Sequence, residues 1–120
     1  MTFDENARQE GAALVGARAY ADVELALKRL AANAAERGPS RQFASGAAAA
    51  YQWALGRAER SPVTGASRTP GVPDMQSLTA EADAAVVLVE DPTLPPGPRD
   101  HSRGVHDALA WVCGHSEQQP

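Results

Sequence analysis

Residues 46–62 read GAAAAYQWALGRAERSP, and residues 104–120 read GVHDALAWVCGHSEQQP. Aligned without gaps, both stretches follow the pattern G-x-x-x-A-x-x-W-x-x-G-x-x-E-x-x-P, which includes both tryptophans of the chain. Glycine, alanine and tryptophan at spacings of four and then three residues lie on one face of a helix. The shared pattern therefore predicts two helices that bury the same face, and it favours an internal duplication.

Each tryptophan is followed three residues later by a glycine, Gly56 in the first stretch and Gly114 in the second. Glycine at this place ends a helix or relaxes its last turn, because it accepts a left-handed backbone. The small residues allow a second helix to come close, so we expect Trp53 and Trp111 to cover a helix crossing. The alternative left open is that the two indoles form the floor of a ligand pocket or a partner groove.

Proline and glycine divide the chain into four segments without proline, residues 4–38, 40–61, 74–91 and 99–119. Apolar residues recur in these segments at spacings of three and four, which is typical of amphipathic helices. We therefore predict an all-α fold of about four helices, in which two helical hairpins form a small bundle.

A chain of 120 residues is expected to form one domain, residues 1–120. Within it we predict a first hairpin over residues 4–60, an exposed loop over residues 61–73 and a second hairpin over residues 74–116. The loop is rich in proline, glycine and polar residues, as surface connections usually are.

Good N-cap residues stand before three of the predicted helices, namely Asp4, Ser40 and Asp74, and the fourth helix is expected to begin near Asp100. Gly16 leaves open a break near the start of the first helix. The run AAVVLV at residues 84–89 has the β-branched composition of a buried strand. We favour a helix there, because no second convincing strand is present to pair with it.

Composition excludes several classes of protein. The net charge of −4 and a pI near 5.3 argue against a dedicated nucleic-acid binder. The longest apolar run has six residues, far below the roughly 20 needed to cross a bilayer. The chain has one cysteine, Cys113, which excludes an internal disulfide and fits a reducing compartment. We therefore expect a cytoplasmic protein without a membrane segment.

Histidine and cysteine provide only weak candidates for chemistry. His106 and Asp107 form an H-D pair of the kind that binds a metal in one class of phosphohydrolase, but no histidine occurs before His101 to complete the set. Cys113 and His115 lack the paired spacing of a zinc site. Since no nucleophile or nucleotide-loop motif is present either, we expect no catalytic residue, metal or cofactor, and interpret Cys113 as a small buried hydrophobe.

Charged residues cluster in two places. The segment that follows Asp74 is acidic, and we expect Glu81 and Asp83 to lie on different faces of a solvated helix. Residues 37–68 are basic and contain a set of arginines that could contact phosphates or an acidic partner. This set is Arg37, Arg41, Arg57, Arg60 and Arg68.

These features favour a protein–protein interaction or regulatory module without catalysis. We expect it to bind an unidentified protein and to form a homodimer, because an alanine-rich domain of this size has a thin core. The candidate contact residues are Tyr51, Trp53, Arg57, Arg60 and Trp111. Two alternatives are kept: a small-molecule-binding bundle, possibly an enzyme, with a pocket between the Trp53 and Trp111 helices, and a nucleic-acid binder that uses the central arginines.

Overall fold

The computed structural model describes residues 13–37, 41–65 and 71–120. In these ranges the chain forms a two-stranded antiparallel hairpin and four helices, which confirms the predicted small helical bundle. The strands are β1 (Leu14–Val15) and β2 (Arg18–Ala19). The helices are α1 (Tyr20–Arg37), α2 (Arg41–Ala54), α3 (Met75–Val89) and α4 (Pro96–Val112).

Helix α4 is the centre of the packing, because it contacts both α2 and α3, and α2 in turn contacts α1. The spatial order of the helices is therefore α1, α2, α4, α3, with each helix packed against the next. The core consists mostly of short aliphatic side chains around a few large ones. The largest fully buried side chains are Tyr51, Leu78, Leu109, Val15, Val23, Val105 and Val112.

The crossing of α2 and α4 depends on two glycines, Gly46 and Gly104, which are the first residues of the two matching stretches. A Cβ atom added to either glycine would collide with a backbone carbonyl group of the other helix. The two backbones therefore touch directly, and Ala47, Ala50 and Ala108 are buried around the contact. The small residues thus allow the two helices to come close, as the sequence predicts.

The C-terminal ends of α2 and α4 have the same hydrogen bonds. Gly56 N donates to Trp53 O at 3.0 Å, and Gly114 N donates to Trp111 O at 3.0 Å. One residue further on, Arg57 N donates to Gln52 O and His115 N donates to Ala110 O, five residues earlier in each case and at 2.9 Å in both. Gly56 and Gly114 both have φ of +81°, which makes each end a Schellman motif and confirms that glycine ends both helices.

The first helix begins later than predicted. Residues 14–19, which were expected to be helical, form the β-hairpin instead, and helix α1 begins at Tyr20. Gly16 turns the chain with φ of +61°, and Ala17 N donates to Val112 O of α4 at 2.8 Å. This contact with a distant helix outweighs the local helical pattern. The proposed caps Asp4 and Ser40 lie outside the described residues.

The other helix boundaries follow local chemistry. Asp74 caps α3 as predicted, since its Oδ1 accepts from Ser77 N at 2.8 Å. Residues 84–89 belong to α3, so the helical interpretation is confirmed. Helix α4 begins at Pro96 and not near Asp100, because proline is well tolerated in a first turn, where the backbone N–H has no partner within the helix.

The prediction of a solvated acidic face is wrong at one position. Glu81 is only 4% exposed, and its carboxylate accepts from Val63 N at 2.6 Å, from Thr64 N at 2.7 Å and from Thr64 Oγ1 at 3.0 Å. Residues 61–65 are thus bound to α3, and this part of the predicted exposed loop is held against the core. Asp83 is exposed on another side of the helix, as expected.

Across residues 13–37, 41–65 and 71–120, no helix is both long enough and apolar enough to span a membrane.

Candidate functional site

The predicted aromatic residues lie in the core between α2 and α4. The rings of Tyr51 and Trp111 pack edge to face, with centroids 6.1 Å apart and planes at 87°. Tyr51 is fully buried, and Trp53 and Trp111 are 3% and 6% exposed. All three side chains therefore present almost no surface to a partner in this conformation, and edge-to-face packing adds to the stability of the crossing.

Two of these aromatic residues carry buried polar atoms. Tyr51 Oη and Trp53 Nε1 have no hydrogen-bond partner within the described ranges. Burial raises the pKa of the Tyr51 phenol well above its ordinary value of 10.0. The phenol therefore stays protonated at neutral pH.

Trp111 has a charged neighbour that the sequence did not reveal. The Arg18 guanidinium lies 4.7 Å from the centre of the indole ring, in cation–π geometry. Arg18 Nε donates to Trp111 O at 2.7 Å, and Arg18 Nη2 donates to Ser116 O at 2.8 Å. The β-hairpin thus places a cation on the carbonyl groups at the C-terminal end of α4, where the helix dipole favours positive charge.

The two predicted arginines of the contact set both have partners within the chain. Arg57 forms an ion pair with Glu24 of α1 and donates to Tyr20 Oη at 3.4 Å. The hydrogen bond that Arg57 donates to the Glu24 carboxylate is the main reason why the pKa of Arg57 is raised. Arg60 Nη1 donates to Gly65 O at 3.1 Å. These residues link α1 and the loop to the end of α2, at the surface of the protein.

The remaining central arginines are placed differently. Arg41 is exposed in the first turn of α2. Arg68 and the side chain of Arg37 lie outside the described residues. Of the arginines that the structure describes, Arg41 lies at the start of α2 and Arg57 and Arg60 lie after its end, and the three aromatic side chains are buried, so neither group forms one surface site.

An open apolar groove of about 330 Å³ lies between α1 and α2, in a region that sequence reasoning did not single out. It exists because the α2 side of the interface carries alanines, which are too short to fill the space beside the leucines of α1. The lining residues are Leu27, Leu30, Ala31, Arg41, Ala44, Ser45 and Ala48. The signal available in the sequence was a second alanine stripe on α2, outside the face that packs on α4.

A second cavity, of about 270 Å³, is formed by α2, α4 and the segment after α4. Its lining residues are Phe43, His106, Asp107, Ala110, Ser116, Gln118, Gln119 and Pro120. His106 Nδ1 and Asp107 Oδ1 are 3.0 Å apart at its wall. The His106–Asp107 pair is thus half-buried beside a cavity.

No group of three His, Cys, Asp or Glu side chains close enough to hold a metal ion occurs among the described residues. Cys113 is buried, with its Sγ 3.9 Å from Thr79 Oγ1. Burial raises the pKa of the Cys113 thiol, which keeps it in the unreactive protonated form.

Comparison with known proteins adds no functional information. No protein family, no curated protein and no solved structure matches the chain.

Proposed function

We propose that the protein is an interaction module that binds an amphipathic helix of a partner protein in the groove between α1 and α2. The supporting observation is the apolar groove of about 330 Å³, which is open along two adjacent helices. Grooves of this kind bind the apolar face of a helix through anchor residues at i, i+3, i+4 and i+7. Binding of this type needs no catalytic group.

The charges beside the groove indicate the chemistry of the partner. Arg41 is exposed at one end, and Lys28 is exposed next to the groove residue Leu27. Glu24, one turn before Lys28, is neutralised by Arg57. Among the described residues, Arg41 and Lys28 therefore place positive charge beside the groove, and we infer a partner helix with acidic residues beside its apolar stripe, since complementary charge increases specificity and the association rate.

The test uses two helical peptides that share the same leucine stripe, one with glutamate and one with lysine at the remaining positions. Each is titrated into the isotopically labelled full chain. We expect the glutamate peptide to shift the amide resonances of Leu27, Ala31 and Ala48 saturably, and the lysine peptide to bind at least tenfold more weakly. Equal binding of both peptides, or shifts elsewhere only, contradicts the proposal.

Variants locate the binding surface. Ala48→Leu fills the groove and should abolish binding, whereas Ala80→Leu on an exposed position of α3 should not. Arg41→Glu reverses a charge beside the groove and should weaken the binding of the glutamate peptide. Arg29→Glu on an exposed position of α1 serves as the control for net charge. Binding that survives Ala48→Leu would assign the peptide to another surface.

Self-association is measured in the same samples, because the thin alanine-rich core leads us to expect a homodimer. Native mass spectrometry reports the mass of the free protein and of the Ala48→Leu variant. A dimer that survives the substitution supports a separate self-contact. A dimer that dissociates on substitution would show that the groove holds a second copy of the chain. This result would overturn the proposal that the groove binds a helix of a partner protein.

We also infer that the two hairpins arose by internal duplication and that the protein works in the cytoplasm. The six identical positions in the 17-residue stretches 46–62 and 104–120 support the duplication, together with the matching Schellman ends of α2 and α4. The one cysteine is free and buried, which suits a reducing compartment. Targeting of a tagged chain in cells would test the compartment directly.

A further inference from the structure

The cavity beside His106 and Asp107 is independent of the groove, since the two share no lining residue. Its polar side contains the His106–Asp107 pair and Ser116, and its apolar side contains Phe43 and Ala110. At about 270 Å³ it is slightly smaller than the roughly 300–1,000 Å³ of pockets for drug-sized ligands, so it suits a small molecule.

Two acceptors of this cavity lie on α4. A carboxylate only accepts, so His106 Nδ1 carries the hydrogen that lies between it and Asp107 Oδ1 at 3.0 Å. In the neutral imidazole this leaves Nε2 as an acceptor. The other polar lining groups, the Ser116 hydroxyl and the two glutamine amides, can donate as well as accept. On the α4 side, a ligand with N–H donors therefore finds two acceptors, Asp107 and His106 Nε2.

The negative charge of the lining also favours a ligand with N–H donors. Among the residues that the structure describes, the lining contains the carboxylate of Asp107 and neither lysine nor arginine. Arg103 lies one helical turn before Asp107, but its guanidinium is directed to Asp100, with Nη1 3.8 Å from Oδ1. Asp107 is 44% exposed, so a ligand can reach its carboxylate.

We propose that this cavity binds small protonated primary amines that carry an apolar group. Asp107 is the counter-ion for the ammonium group, which has three N–H donors and no acceptor. Phe43, Ala110 and Pro120 form the apolar wall for the rest of the molecule. The segment after α4 closes one side, with Ser116, Gln118 and Gln119 in the lining.

The experiment compares three probes of the same shape on the full wild-type chain: benzylammonium, benzyl alcohol and benzoate. We expect benzylammonium to shift the amide resonances of Asp107, Ala110 and Gln118 saturably. Benzyl alcohol should bind at least tenfold more weakly, and benzoate should give no saturable shift. Equal affinity for the three probes, or no saturable binding of benzylammonium, overturns the proposal without the use of any variant.

Two substitutions test the counter-ion. Asp107→Asn keeps the shape of the side chain and should lower the affinity for benzylammonium at least tenfold. Asp83→Asn makes the same change in net charge on an exposed position of α3 and should leave the affinity unchanged. Unchanged affinity in Asp107→Asn, or an equal loss in Asp83→Asn, overturns the assignment of Asp107. Neither result depends on the groove between α1 and α2.

Discussion

Gly46 of α2 and Gly104 of α4 make reciprocal contacts. A Cβ atom on Gly46 would collide with the carbonyl oxygen of His101, three residues before Gly104. A Cβ atom on Gly104 would collide with the carbonyl oxygen of Phe43, three residues before Gly46. Reciprocity of this kind is what an approximate two-fold axis between two similar helices produces.

Alanine at either glycine should destabilise the protein. Gly46→Ala and Gly104→Ala force the two backbones apart, and each should lower the free energy of unfolding by about 2 kcal/mol, as overpacking does. Gly97→Ala is the matched control, because the added Cβ would lie 3.7 Å from Gln42 Cγ, an ordinary contact. Urea unfolding measures all three. Alanine tolerated equally at positions 46, 104 and 97 would contradict so close a crossing.

The buried carboxylate of Glu81 should be needed to hold residues 61–65. Glu81→Gln removes the charge and one of the two acceptor oxygens, and it should cost about 2 kcal/mol, since hydrogen bonds to charged groups contribute roughly 1.5–3 kcal/mol. Hydrogen exchange of the Val63 and Thr64 amides should become faster. Asp83→Asn, two residues away and exposed, should change neither quantity. If the Val63 and Thr64 amides of Glu81→Gln stay protected from hydrogen exchange, other contacts hold residues 61–65.

The N-cap of α3 should make stability depend on pH in the acid range. Hydrogen bonds from Ser77 lower the pKa of Asp74 below its ordinary value of 3.8. A carboxyl whose pKa is lower in the folded state stabilises the protein above its unfolded pKa, and this contribution disappears as pH falls through the folded pKa. Asp74→Asn keeps a good cap without titration. The difference in stability between wild type and Asp74→Asn should therefore shrink below about pH 4; a constant difference in urea titrations from neutral to acid pH would contradict this.

Arg18 should link the β-hairpin to α4. Arg18→Met keeps the length of the side chain but removes the donors to Trp111 O and Ser116 O and the cation beside the indole. We expect a loss of about 2 kcal/mol and a red shift of the tryptophan emission. Arg29→Met on an exposed part of α1 is the control. If both variants unfold at the same urea concentration, the hairpin contact contributes little.

Local signals predicted most of the helical architecture. Spacings of three and four indicated the helices, Asp74 indicated a helix start, and Gly56 and Gly114 indicated helix ends. These features are decided within one or two turns of chain, so a single sequence contains them. The start of α4 at Pro96 was missed because the prolines were interpreted as a linker, although proline also fits a first helical turn.

Long-range contacts explain the errors. The β-hairpin depends on the hydrogen bond from Ala17 to Val112, which no local pattern encodes. Glu81 is an ordinary acidic residue in a sequence and becomes buried because the amides of Val63 and Thr64 meet it in the fold. The groove depends on the spacing of α1 and α2, which alanine content alone does not determine.

The contact between the β-hairpin and α4 also sets the order in which a newly made chain can fold. Arg18 and its partner Trp111 are 93 residues apart in the sequence. Ribosomes add about 5–20 residues per second, so the hairpin waits for about 5–20 s before its partner has been synthesised. During that interval Val15, which is fully buried in the finished protein, has no α4 to cover it. Val15 therefore reaches its buried position only after α4 has been made.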